Sequence, residues 1–196
     1  MKTRLEHALT DPGEPPVREL PAEVADLLLQ LRVPPRLAAH LRAVHDVAYE
    51  ITAWLATAYS DLPFDREAVL YGAATHDIGK TIHVEELSGP GSLHEKAGRQ
   101  LLLDAGVASH VARFAATHSN WTDPDITVDD LVVSLADKIW KAKRIRDLEQ
   151  LLVDHLVIAS GQEPWQVFLG LDDQLGRLAD TADSRLAFQN TYPITG

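Results

Sequence analysis

Apolar residues recur every three to four positions from Pro21 onward, the spacing of one buried face of an α-helix. The stretch PAEVADLLLQLRV opens with Pro21 at a first-turn position and ends at Pro34 and Pro35, which cannot continue it. The next stretch reads as a long, mostly buried helix over 36–60. Pro63 interrupts it, and Asp65 caps a further helix, REAVLYGAATHDIGKTI. The segment ELSGPGS breaks the pattern. Ser92 and Glu95 have the spacing of a capping box, so a helix starts there, runs to about Asp104 and stops at Gly106. ASHVARFAATHSNW is a short helix. Thr127 and Asp130 cap a long segment that is one helix or two; Gly161 ends it, and Pro164 opens the last helix.

Before Pro21 the chain is rich in proline, glycine and charge, and residues 1–20 read as an irregular arm. After Ser184 the helical signal fades into a tail over 185–196. Residues 21–184 then form one all-α domain of about six to eight helices. There is no alternating strand pattern, no internal repeat and no low-complexity segment.

Composition narrows the chemistry. The chain has 196 residues, 45% hydrophobic and 24% charged, enough for a single core. It has no cysteine, which excludes disulfides, zinc-thiolate sites and thiol nucleophiles and leaves His, Asp and Glu as metal ligands. Those donors suit manganese, iron, cobalt, nickel or zinc, or magnesium where carboxylates dominate. The start, MKTRLEHALTDPGEPP, lacks the apolar core of a signal peptide. No apolar run approaches the roughly 20 residues a membrane span needs. A cytoplasmic protein without a membrane partner is expected. The formal charge of −11 argues against a general nucleic-acid binder, and leaves room for a small anionic substrate in a locally basic pocket. A homodimer is compatible with the sequence.

Nine histidines raise the question of which converge. The candidates are His45, His76, His94 and His118, with Asp77 and Asp137 as acidic partners. Asp137 sits in the apolar run VVSLADKIW, where a lone carboxylate is costly unless paired or bound to a metal; an i,i+4 pair with Lys141 is the plainer reading. His7, His40, His83, His110 and His155 are given no role. A second His-Asp dipeptide, His45-Asp46, shows that adjacency alone proves little.

The ordered set carries more. HLRAVHDVA, AATHDIGK, GSLHEKAGRQLL, FAATHSNW and SLADKIW follow one another over about 37–146, and in that order the chain resembles the HD-domain superfamily and its metal-dependent phosphohydrolases. The resemblance puts the family's first His on His45 and its His-Asp pair on His76 and Asp77. Its two added histidines fall on His94 and His118, and its last Asp on Asp137. It implies two divalent metal ions: His45, His76 and Asp137 on one, His94 and His118 on the other, Asp77 bridging. HDIGK and GPGSLHEKAG are also similar to the HD-GYP branch, which cleaves cyclic dinucleotides; Ser119 follows His118 where that branch has a second His, and no GYP tripeptide occurs.

The implied reaction is hydrolysis of a small phosphate ester, a nucleotide first of all, by metal-activated water. Asp77 would hold the bridge and orient the nucleophile, and Lys80, three residues on, would face the same pocket and stabilise phosphoryl charge. A solvated helix-end lysine is the plainer reading of Lys80. Arg99 and Lys141 are further candidates for substrate phosphate, Lys141 within the basic island DKIWKAKRIR; surface positions are the plainer reading of both. Trp121 stacks on a base or simply packs. The alternative function is a di-iron oxygenase of the myo-inositol oxygenase-like branch, which the same ligands would serve.

Overall fold

The computed structural model describes residues 2–194. Eleven α-helices and two 3-10 turns account for the regular structure, and there is no strand among the described residues. None of these helices is long and apolar enough to cross a membrane.

The organising element is α3 (Pro35–Ala58), with Pro35 in its first turn and no glycine within. Fifteen of its residues are buried, among them every one from Leu37 to His45, so that this stretch is packed on all sides. It meets α1 (Arg4–Thr10), α4 (Arg66–Thr75), α8 (Val128–Ile139) and α11 (Ala182–Asn190), while α2 (Ala22–Gln30) packs on α1 and α4. The apolar core has two lobes. Ala43 to Leu55 of α3 and Ala73 of α4 lie in one; Leu37 to Leu41 and Ala74 lie in the other. The seam between them is where α3 and α4 cross.

Both ends of the chain are better ordered than their composition suggests. Within the expected irregular arm, residues 4–10 form α1, and Thr3 and Glu6 cap each other across its first turn; residues 11–20 carry no helix. Arg42, fully buried on α3, donates to the carbonyls of Ala8, Asp11 and Val17 at 2.7, 2.9 and 2.9 Å. A buried guanidinium must find that many acceptors, and the arm supplies them. The tail over 185–196 is also corrected. Residues 185–190 lie in α11, where Arg185 donates to the Trp140 carbonyl at 2.9 Å and Phe188 is buried; 195 and 196 lie outside the described residues. Arg185 and Phe188 are spaced to share one helix face, a three-residue signal too short to stand out against polar neighbours.

Three further boundaries differ from the pattern. The helix expected through HDIGK ends at Thr75, and Ile78–Thr81 is a 3-10 turn. Ser92 does not cap α5 (Leu93–Asp104) with its side chain. The Leu93 and His94 amides instead donate to the Glu86 carboxylate at 3.1 and 3.2 Å. The single short helix expected after Ala108 is two turns, α6 (Ser109–Ala112) and α7 (Phe114–Thr117). The long C-terminal segment is two helices, α8 and α9 (Arg146–Ser160), with Ala142 between them at φ 57°. The Thr127–Asp130 cap, the Gly161 stop at φ 64° and the Pro164 start of α10 (Pro164–Ala179) are as expected. The two end helices and the split segments bring the helix count above six to eight.

Candidate metal centre

Five elements meet at the seam. His40 comes from α3. His76 and Asp77 stand where α4 gives way to the 3-10 turn. His94 lies in the first turn of α5, His118 directly follows α7, and Asp137 is near the end of α8. All six side chains are buried, between 0% and 8% exposed.

Glycine makes this convergence possible. A Cβ on Gly79 would sit 2.0 Å from the His94 carbonyl and 2.6 Å from the Gly98 amide nitrogen. The 3-10 turn therefore lies backbone to backbone on α5, which sets His94 beside Asp77. Gly72 performs the same service against the Phe114 ring, at 2.4 Å, bringing α4 against α7 and hence His76 near His118.

Asp77 is the centre of the arrangement. Its Oδ2 lies 3.1 Å from His40 Nε2 and 3.5 Å from His76 Nε2. Its Oδ1 lies 3.0 Å from His94 Nε2 and 3.5 Å from His118 Nε2. Asp137 Oδ1 joins the first side, 3.4 Å from His76 Nε2 and 3.9 Å from His40 Nε2. Two groups of donor atoms result, one of His40, His76, Asp77 and Asp137, one of Asp77, His94 and His118. Within each group the atoms lie within 4.8 Å of one another.

Hydrogen bonds orient the rings. His76 Nδ1 is 2.9 Å from the Ala73 carbonyl, and His118 Nδ1 is 3.2 Å from the Phe114 carbonyl. A carbonyl only accepts, so each Nδ1 carries the hydrogen and each Nε2 presents a lone pair. The Glu86 carboxylate takes the Nδ1 hydrogen of His94 in the same way. Lone pairs and carboxylate oxygens facing one another in a buried space repel unless a cation lies among them. Asp77 Oδ1 and His94 Nε2 are both buried without a hydrogen bond. Imidazoles anchored through Nδ1 with Nε2 facing carboxylates are the donor set of a divalent transition metal, and the residues fit one.

The groups also shift one another's titration. Burial would raise the Asp77 carboxyl, but the neighbouring His76, His40 and His94 and the nearby Lys80 hold it well below the usual range. Asp137 is likewise held low against burial by His76 and Lys138. Burial pushes His118 down to about 4 and lowers His40 against the pull of Asp77. His94 is raised despite burial, because it stands between the Asp77 and Glu86 carboxylates.

The centre opens on a cavity of about 370 Å³. Lys80 Nζ lies 2.5 Å from Asp77 Oδ2, and Lys138 Nζ lies 2.5 Å from Asp137 Oδ2; both lysines line this cavity, as does Lys141. The expected Asp137–Lys141 pair is replaced by Asp137–Lys138, because α8 ends at Ile139 and Lys141 lies beyond its last turn. Arg99 is exposed on α5 and does not line the cavity. Trp121 packs half-buried against the larger core lobe.

His45 is the main correction. It sits five residues after His40, about 140° round the helix, and is not in either donor group. Its surroundings oppose a cation: burial and the charges of Arg18, Arg42 and Arg66 push it down to about 4. Its neighbour Asp46 accepts from the Arg18 amide at 3.3 Å and so pins the N-terminal segment. His40 takes the place expected of His45. The signal was present in AAHLRA: small residues precede His40 as they precede His76, and small residues let two helices close. Glu86 was missed as well. Gly91 was its trace, since a Cβ there would lie 2.2 Å from the Glu86 carboxylate.

The family model of the HD domain matches residues 37–140, just over half of the chain and all six residues of the two donor groups. Among the curated proteins and the solved structures, nothing matches.

Proposed function

Because the chain belongs to the HD-domain family, a superfamily of metal-dependent phosphohydrolases, we propose that it hydrolyses a small phosphate ester, with nucleotides the first class to try. One observation carries the reading: the two oxygens of Asp77 each address a separate set of histidines, 3.1 Å to His40 and 3.0 Å to His94. His40, His76, Asp77 and Asp137 would hold one divalent ion, and Asp77, His94 and His118 a second. Such a pair, when bound, supplies Lewis acidity that ionises water near neutral pH and offsets phosphoryl charge.

The side chains do the rest. Asp77, held ionised, keeps both oxygens as acceptors and fixes the spacing of the two donor groups. The Ala73 and Phe114 carbonyls and Glu86 hold the rings of His76, His118 and His94 in place, so the centre needs no reorganisation when substrate arrives. Lys80, on the cavity wall, stabilises charge gathering on the phosphoryl oxygens, and Lys138 and Lys141 extend the positive wall for an anionic substrate in an otherwise acidic protein. The hydrolysed bond is P–O: water's oxygen joins phosphorus, and the alcohol leaves with a proton.

The test is metal content of protein purified without chelator, wild type and Asp77→Ala, with phosphate release from a nucleotide panel on the same samples. About two ions per chain are expected, lost in the variant together with phosphate release. Two irons, oxygen uptake and no phosphate from any ester would replace hydrolysis by the oxygenase. A metal-free wild type would overturn both.

A further inference from the structure

Four large apolar side chains stand out into solvent from the helix pair α9–α10. Trp165, Phe168 and Leu169 of α10 are 61%, 46% and 51% exposed, and Ile158 of α9 is 83% exposed. The two helices pack on each other and are joined by residues 161–163 alone, so Ile158 and Trp165 stand at the same end of the pair. The inner side of α10 is taken up by the core, with Val167, Leu171, Leu175 and Leu178 buried. On the outer side Trp165, Leu169, Asp172 and Gly176 fall within about 60° of one another at about 100° per residue, and so form one line along the helix. Gly176 is the odd member of that line. Glycine within a helix costs stability relative to alanine, and a Cβ at Gly176 would meet nothing within 4 Å. Close contacts inside the chain require Gly72 and Gly79; none requires Gly176. The line thus carries a large ring at one end and bare backbone at the other, about 16 Å apart along the helix.

We propose that this face is an interface between two copies of the chain, paired antiparallel along α10 about a twofold axis, with Trp165 of each copy seated on Gly176 of the other. The inference is independent of the phosphohydrolase reading. A knob and a notch on one line are self-complementary under a twofold axis. Antiparallel helices that cross between Gly170 and Leu171 set position 165 against position 176 at both ends at once. A second copy supplies both halves by symmetry. Leu169 then meets Asp172, whose Oδ1 already accepts from Arg144 at 2.7 Å, so no uncompensated carboxylate enters the contact. Phe168 widens the apolar line on one flank. The area is also of the right size. Trp165, Phe168 and Leu169 together expose roughly 300 Å² of apolar surface. That is more than half of the roughly 500 Å² of apolar area on one side of a standard homodimer interface, and Ile158 adds to it. The net charge of −11 makes two copies repel at a distance, so screening by salt favours the pair.

The test is sedimentation velocity of the full chain over a dilution series, with a melting curve on each protein. Wild type is expected to pass from monomer to dimer as concentration rises, and to do so at lower concentration in high salt than in low salt. Trp165→Ala removes the knob, and Gly176→Gln fills the notch with a good helix former. Each should raise the dimer Kd at least about 10-fold, as loss of a buried aromatic anchor does. Gly176→Gln should keep or raise the melting temperature of the dilute monomer, which separates a lost interface from a lost fold. A wild type that stays monomeric at every concentration overturns the proposal. So does a dimer that survives either substitution, since the ring and the glycine are then not in contact. A dimer that salt dissolves is held by charge rather than by this apolar face, and overturns it as well.

Discussion

Consider a single methyl group added at Gly79. Its Cβ would lie 2.0 Å from the His94 carbonyl oxygen, 2.6 Å from the Gly98 nitrogen and 2.8 Å from the His94 carbonyl carbon. Ordinary contact begins at 3.4 Å, so the 3-10 turn and α5 would have to part by about 3.4 − 2.0 = 1.4 Å. The atoms in the way are all backbone, and no side chain can swing aside. Overpacking of this kind costs about 1–3 kcal/mol, or roughly 2–12 °C of melting temperature for a chain this long. The functional cost is larger than the thermal one. Asp77 and His94 stand on opposite sides of that contact, 3.0 Å apart, and an extra 1.4 Å opens the gap between two donors of one group. Misplaced donors of this sort lower metal affinity about 10–100-fold. Gly79→Ala should therefore fold with a lowered melting temperature and hold less metal, with the side served by His94 and His118 emptied first. The assay is metal per chain against free-metal concentration, with a melting curve beside it. Wild-type melting and wild-type metal content together would refute the argument that this glycine exists for backbone approach.

Other expectations follow from the same geometry. His40→Ala should lose metal and phosphate release together, while His45→Ala should retain metal; the reverse pattern in metal analysis would return His45 to the centre. Glu86→Gln leaves His94 without its ionised partner and weakens the cap of α5. Metal affinity should fall about 10–100-fold by chelator competition, and unchanged affinity would remove Glu86 from the argument. Asp130 is 1% exposed, and although burial raises it, hydrogen bonds from Thr127, Thr117 and Arg113 outweigh burial and hold it low. A depressed carboxyl stabilises the fold above the ordinary carboxylate range and loses that contribution as pH falls through its folded value. Asp130→Asn should thus cost about 3 kcal/mol at pH 7 by denaturant unfolding, with the gap narrowing below about pH 4. A gap that does not change with pH would show that the charge of Asp130 is not what stabilises the cap.

How much of this was written in the sequence differs from element to element. HDIGK pointed to the centre because its parts are local: a ligand pair, a glycine for close approach and a lysine one turn on. The helices were legible wherever an apolar face was long, as in α3. His40 and His45 could not be told apart by burial, because α3 is buried without a break from Leu37 to His45 and offers no solvent face there against which to orient a histidine. The family resemblance placed the first ligand on His45, five residues beyond the histidine that the fold brings to the centre. Glu86 was hidden for a different reason. Its partners are the start of α5 and the His94 ring, and only the fold of the glycine-rich loop brings them together. The two end helices are short and polar on most faces, and their stability comes from Arg42 and Trp140, which are far away in the chain.

Those distant attachments bear on how the protein is made. The Tyr192 hydroxyl bonds to Asp11 at 3.2 Å, and the Arg36 amide donates to the Pro193 carbonyl at 3.0 Å. The wall of the cavity that carries Gln189 is thus clasped to the earliest part of the chain. Contacts across that much sequence form late, since closing a long loop costs entropy before any bond repays it. During synthesis the histidines and carboxylates up to Asp137 can gather while one side of the cavity is still missing. The last side arrives only when residues 185–193 have left the ribosome. A nascent chain would hold a metal centre before it holds a finished cavity, and selectivity would be the last property it acquires.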